Sequence, residues 1–106
     1  MPIEGQIVQD ADRLDAIGAI GIARAMYYGG HVGEKLYDPK LEPRTQMTQA
    51  KERDYQRGTT INRFYEKWLK IKNDLNTPAA KELAKGRQGV MLRFLNEFKA
   101  EGNGNA

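Results

Sequence analysis

Asp10-Ala11-Asp12-Arg13-Leu14-Asp15-Ala16 runs directly into Ile17-Gly18-Ala19-Ile20-Gly21-Ile22-Ala23-Arg24. Carboxylates open a helix that then turns apolar and small. Acids beside a buried helix need a cation or a base as partner. The pattern predicts one helix over 7–28, with Gly29-Gly30 as its C-cap. From Ala16 to Met26 it is apolar nearly all round, which places it at the centre of a bundle. Gly18 and Gly21 each cost roughly 1 kcal/mol in helix propensity, and close approach of neighbouring helices is the expected compensation.

Outward from this stretch the chain reads as all-α, with three main helices and a long loop. Residues 29–58 form a polar connection punctuated by Gly29, Gly30, Gly33, Pro39 and Pro43, with a short helix expected near 48–56. A connection of that length in a compact domain is commonly functional or mobile. The second helix is predicted over 60–75, capped by Thr59 or Thr60, with Ile61, Phe64, Trp68, Leu69 and Leu75 on one side. Asn76-Thr77-Pro78 is a stop and restart, Thr77 serving as N-cap and Pro78 as first helical residue. The third helix is predicted over 78–101, with Leu83, Ala84, Val90, Met91, Phe94, Leu95 and Phe98 as its apolar stripe. Residues 1–101 make one domain, and 102–106 read as a disordered tail.

The chain has 106 residues, enough for one small domain, and its 40% hydrophobic and 29% charged content is that of a globular protein. It has no cysteine, which excludes a disulfide framework and a thiolate metal site and fits a reducing, cytoplasmic setting. No signal-peptide pattern opens the chain, and the longest apolar run, Ala16 to Ala23, is too short to span a bilayer. A net charge of +3 mildly favours anionic ligands but is too small to argue for nucleic acid. Arg53, Arg57, Arg63, Lys67, Lys70 and Lys72 are the residues a nucleic-acid surface would use. They carry no recognised binding motif and read as solvated helix faces.

Asp12 and Asp15 are spaced to share a helix face, whereas Asp10 points away from Asp12. The pair suits a divalent cation or a cationic side chain. The simpler reading is an acidic helix start favoured by the macrodipole. An EF-hand is excluded because its glycine and terminal glutamate are missing at the required spacing. His31 reads as a solvated loop residue, a ligand only if the loop folds back. Arg87 interrupts the apolar stripe of the third helix, and a structural bridge to Asp12 or Asp15 would satisfy it.

Three blocks resemble the C-terminal portion of the small bacterial HD-superfamily metal-dependent phosphohydrolases. They are Ile7 to Arg24 followed by Tyr28-Gly29-Gly30, then Thr60 to Leu69, then the helix carrying Ala84, Arg87, Met91, Phe94, Leu95 and Glu101. The resemblance implies an HD-like partial helical bundle in which Asp12 is the last metal-binding aspartate, in its Ala-Asp-Arg-Leu context. Asp15 and Arg13 would neighbour the site, and Lys67 and Arg87 would be phosphate-facing cations. The family's early His and His-Asp dipeptide are absent: His31, the single histidine, is followed by Val32. One carboxylate cannot hold and activate a metal-bound water by itself. No cofactor is therefore expected, and Mn²⁺ or Mg²⁺ only if the site is completed by another chain. The relatives' earlier helices have no counterpart before Pro2, which would leave a face of helix 7–28 uncovered and favour a two-fold dimer. The expected protein is a noncatalytic helical oligomer derived from such an enzyme. The alternative is a phosphohydrolase half-site completed by a partner chain that supplies the missing ligands.

Overall fold

A computed structural model of the chain describes residues 2–103. Its elements in order are α1 (Ile3–Leu14), α2 (Gly18–Val32), α3 (Gln49–Glu52), α4 (Thr60–Glu66), a 3₁₀ helix (Trp68–Asp74) and α5 (Pro78–Gly102). The all-α expectation holds, and a single parallel bridge between Lys35 and Thr59 is the one β pairing among the described residues. Ile17, Ile61, Phe64, Met91 and Leu95 form the most deeply buried part of the core.

The expected helix over 7–28 is two helices joined by a corner. α1 stops at Leu14, Ile17 is extended, and Gly18 takes φ +76°. That backbone angle is in the left-handed region, which glycine enters without strain. The site is also tight, because a Cβ on Gly18 would stand 2.9 Å from Arg87 Cγ. Gly21 is equally constrained: its Cβ would lie 2.5 Å from the Ala16 carbonyl. These glycines make the bend rather than a smooth packing face. Arg87 closes the corner by donating from Nη1 to the Leu14 carbonyl at 2.7 Å, at the carboxyl end of α1 where carbonyls lack helical partners. The expected bridge from Arg87 to Asp12 or Asp15 is therefore replaced by a bond to backbone.

α2 is not buried all round, since Ile20 and Tyr27 lie on its exposed side. It also passes through Gly29-Gly30 and ends at Gly33, whose φ of +75° makes it the C-cap. Gly29 is needed for a different reason: a Cβ there would sit 2.1 Å from Thr60 Oγ1, so α2 and α4 touch at this point. His31 accordingly lies in the last helical turn and not in a loop.

The connection from Gly33 to Gly58 is ordered by two buried ion pairs. Arg63 donates from Nε and Nη2 to the Glu34 carboxylate at 2.9–3.1 Å, and its Nη2 also reaches the Glu52 carbonyl at 2.7 Å. Arg44 grips both Glu66 oxygens at 2.9 Å, adds its backbone N–H at 2.8 Å, and donates to the Lys51 carbonyl at 2.7 Å. Gly58 lies between the pairs, where a Cβ would meet Arg44 Nη2 and Glu34 Oε2 at 2.7 Å each. α3 is the expected short helix, trimmed to one turn. The Lys35 and Leu36 carbonyls accept from the Thr60 and Ile61 N–H groups, and Thr59 Oγ1 caps α4 by accepting from Asn62 N at 3.0 Å.

The second helix breaks at Lys67, which no glycine or proline announces, and continues as the 3₁₀ segment. Thr77 caps α5 as expected, accepting from Ala80 N at 3.2 Å. Asp10, expected to point away from the acidic pair, is buried against this cap. Its carboxylate accepts from Asn76 N at 2.7 Å and Thr77 N at 2.9 Å. Arg13 donates to the Asp74 carbonyl beside it. On α5, Leu83 is exposed rather than part of the stripe, while Ala84, Met91 and Leu95 are buried. Gly102 still belongs to the helix and Asn103 closes it; the remaining tail residues, 104–106, lie outside the described residues.

Gly18→Ala is expected to lower unfolding free energy by about 1–3 kcal/mol through the strained φ and the Arg87 contact, whereas Gly86→Ala, on α5 with nothing within 4 Å, is expected to raise it by up to about 1 kcal/mol. Urea denaturation measures both, and equal effects would remove the special role of Gly18.

Burial pushes the Asp10 carboxyl up, but the Asn76 and Thr77 N–H bonds outweigh it and hold it below its ordinary 3.8. Burial likewise raises Glu66, and the Arg44 bonds hold it below 4.5. Both groups are depressed in the folded state, so the unfolded chain takes up their protons first as pH falls. Their stabilisation is complete above the ordinary carboxylate range and is lost as pH drops through the folded values. Thermal melts across pH 2–7 are expected to show Asp10→Asn and Glu66→Gln less stable than wild type at neutral pH, with the gap narrowing below about pH 4.

Candidate functional site

A cleft of about 540 Å³ opens between α2, α4 and the connection that carries α3. Its volume lies within the range of roughly 300–1,000 Å³ typical of small-molecule sites. α2 forms one wall: Arg24 and Tyr28 sit one turn apart on the same face, and Gly21 and Gly29 flank them without side chains. α4 contributes Thr60 and Arg63, Lys67 follows at its C-cap, and the connection contributes Glu34, Glu52, Arg53 and Tyr55. Asp12, at the end of α1, completes the rim.

The ionic partners are unevenly distributed. Arg63 is spent on Glu34, with side-chain exposures of 12% and 2%, and its guanidinium stacks 5.4 Å from the Tyr55 ring centroid. Lys67 Nζ is 3.4 Å from Glu52 and 4.9 Å from the centre of the Trp68 ring. Tyr28 and Tyr55 share a hydroxyl hydrogen bond of 2.8 Å with their rings edge to face. That bond, followed by burial, raises the Tyr55 phenol above its ordinary value. Asp12 is exposed and its side chain engages no described residue.

Among the residues singled out from sequence, the structure brings Asp12, Arg53, Arg63 and Lys67 to one cleft. Asp15 lies outside it, at the C-cap of α1 in a groove shared with Val8 and Asp12. Arg87 is at the α1–α2 corner, facing backbone. His31 is exposed on the far turn of α2 and does not line the cleft. Arg63 and Lys67, counted above among surface cations, are held in pairs.

The donor set does not fit a divalent ion on its own. Among the described residues no three His, Cys, Asp or Glu side chains gather closely enough to hold one. The cleft's other acids, Glu34 and Glu52, already face Arg63 and Lys67. Sequence reasoning missed Glu34, Arg44 and Glu66 altogether. The one local signal was Glu66, set two residues after Phe64 in the most apolar part of its helix.

No protein-family model matches the chain. The chain is 40% identical over 101 residues to the uncharacterized protein YpgQ of Bacillus subtilis, a match covering 95% of this chain and 41% of YpgQ. A crystal structure exists of YpgQ in complex with ADP. A crystal structure from Lactobacillus plantarum superposes with a TM-score of 0.89 at 59% identity, covering 98% of this chain and 49% of that one. The crystal structure of an HD-superfamily hydrolase from Bacillus thuringiensis superposes with a TM-score of 0.79 at 48% identity, covering 97% and 48%. The chain spans about half the length of these relatives. In sequence and in fold it is therefore similar, over nearly its whole length, to about half of an HD-superfamily hydrolase.

Proposed function

We propose that this chain is, by itself, a noncatalytic helical protein of HD-hydrolase descent that works through association. The carrying observation is the set of uncovered apolar side chains on α1 and α2. Ile3 and Ile7 are each 55% exposed and one turn apart on α1, Val8 is 70% exposed, and Ile20 of α2 is 57% exposed. Apolar patches of this kind normally mark interfaces. The shape supports the same reading: the radius of gyration is 14.7 Å, against about 13 Å for a compact domain of similar length. A two-fold dimer is the simplest way to cover the face.

A second reading is favoured by one feature. Asp12 stands unpaired on the rim of a cleft that also holds Lys67, and YpgQ, a relative, binds ADP in its crystal structure. In that reading Asp12 is one ligand of a divalent-metal site, Mn²⁺ or Mg²⁺, whose histidines come from another chain. When bound, such a metal supplies Lewis-acid activation for hydrolysis of a nucleotide phosphate. Lys67 would face the phosphate.

Light scattering across a dilution series is expected to show a dimer, with Val8→Glu raising the dissociation constant about 30-fold or more. A folded monomer at all concentrations would overturn the association reading. With Mn²⁺ or Mg²⁺ added, the purified protein is expected to release no phosphate from a nucleotide panel. Turnover that disappears in Asp12→Ala would replace the first reading with the second.

A further inference from the structure

The break between α1 and α2 belongs to the corner itself and not to the residue pattern on either side of it. Asp10, Leu14, Ile17, Gly21 and Ala25 recur at intervals of four, three, four and four, the spacing of one face of an unbroken helix. The first four are buried and Ala25 packs against the core. Three local features hold the corner instead. Gly18 takes φ +76°, a Cβ on Gly21 would stand 2.5 Å from the Ala16 carbonyl, and Arg87 donates to the Leu14 carbonyl at 2.7 Å.

An unbroken helix needs none of them. Gly18 then takes ordinary helical angles, and its N–H meets the Leu14 carbonyl four residues before it. Both glycines become liabilities, since alanine is the better helix former at either position. The stretch 3–32 thus fits either a corner or a rod about 45 Å long, at roughly 1.5 Å per residue.

What α1 loses by leaving its place is small, and a second copy restores it. α1 buries one large apolar side chain, Leu14. It is otherwise held by Asp10 on the Asn76 and Thr77 N–H groups, Gln9 on the Asn76 amide, and Arg13 on the Asp74 carbonyl. These partners all lie beyond the corner, at 74–77, so another copy of the chain offers the identical set. Ile3, Ile7 and Val8 are uncovered in the single chain and call for a second surface. Exchange of an identical element is a low-cost route to a dimer in such a case.

We propose that two copies of this chain exchange α1: the corner at 15–18 straightens, α1 and α2 join into one helix, and each α1 takes on the other copy the place it holds here. This exchange rests on the association reading and supplies the route by which the dimer forms. Asp12 travels with α1, so each cleft is completed by Asp12 of the partner subunit.

The chain has no cysteine, so a defined pair can be introduced. The Gln9 and Asn76 side chains meet at 2.8 Å. Gln9→Cys and Asn76→Cys are prepared as separate proteins, unfolded together in urea, refolded at a concentration where light scattering shows dimer, and treated with a short bismaleimide. Exchange sets position 9 of one chain against position 76 of the other. A covalent dimer bearing a 9–76 link is therefore expected by gel and mass spectrometry. A dimer that yields no 9–76 link between chains would overturn the exchange and leave association standing, whereas a monomer at every concentration would overturn both. The corner provides an independent readout. Gly18→Ala and Gly21→Ala penalise the corner and favour the rod, so each is expected to lower the dimer dissociation constant about tenfold or more. Gly86→Ala, with nothing within 4 Å, is expected to dimerise as wild type does. A dimer that keeps the corner has no reason to tighten in either variant, and an unchanged or raised constant in both would overturn the exchange.

Discussion

The connection from Gly33 to Gly58 keeps its shape because two carboxylates are buried on arginines. Glu34 and Glu66 retain 2% and 1% of their side-chain exposure, and each is met by a guanidinium fork. Taking such a pair out of water costs nearly what the attraction returns, so the pairs add little net stability. Losing one partner is another matter, costing about 3–5 kcal/mol because a bare charge stays buried. The pairs therefore act as selectors of conformation. Arg44 and Arg63 also reach carbonyls at Lys51 and Glu52, which fixes the one-turn α3 over the cleft. A wall that looks like a loose loop is tied down at its base, and the cleft exists because of it.

The other end of the molecule is held by polar contacts as well. α1 buries one large apolar side chain, Leu14, and turns Ile3, Ile7 and Val8 outward. What attaches it is Asp10 on the start of α5, Arg13 on the Asp74 carbonyl, and Arg87 on the Leu14 carbonyl at the end of α1. Each contact places a charge where a helix end leaves backbone groups unpaired. α1 is thereby positioned accurately while its apolar face remains available. The α1–α2 corner follows from the same economy, since Gly18 lets Arg87 pass close enough to reach Leu14.

These differences explain what was legible in the sequence. Thr77-Pro78 and Thr59 announce their caps because N-capping is a local interaction among residues three apart. The burial of Ala84, Met91 and Leu95 follows from helical period alone. The corner at 15–18 was hidden because a glycine in an apolar helix signals close packing as readily as a left-handed turn. Only Arg87, 69 positions beyond Gly18 in the numbering, decides between them. The pairs were hidden for the same reason, Glu34 and Arg63 being 29 positions apart and Arg44 and Glu66 22. Asp10 does point away from Asp12, but its burial was hidden because it is held chiefly by the backbone N–H groups of Asn76 and Thr77, with the Asn76 side-chain amide beside them. Of the site, Asp12 and Lys67 were found through family likeness and Arg53 and Arg63 only as surface cations, while Arg24 stands out only once its neighbours in the cleft are seen.

Asp12 is where the two uncommitted surfaces meet. It lines the cleft together with Arg24 and Lys67, and it lines the outer groove of α1 together with Val8 and Asp15. Anything seated on the apolar side of α1, whether a second copy or a chain resembling the other half of the relatives, arrives next to this carboxylate. The cleft and the outer groove of α1 are therefore linked through one residue. A covering surface that brings apolar side chains alone would bury Asp12 unpaired, which is costly. A stable interface must instead leave Asp12 at a wet edge or supply it with a cation or a hydrogen-bond donor. Under the proposed association, the charge of Asp12 would therefore limit which surfaces can cover the face.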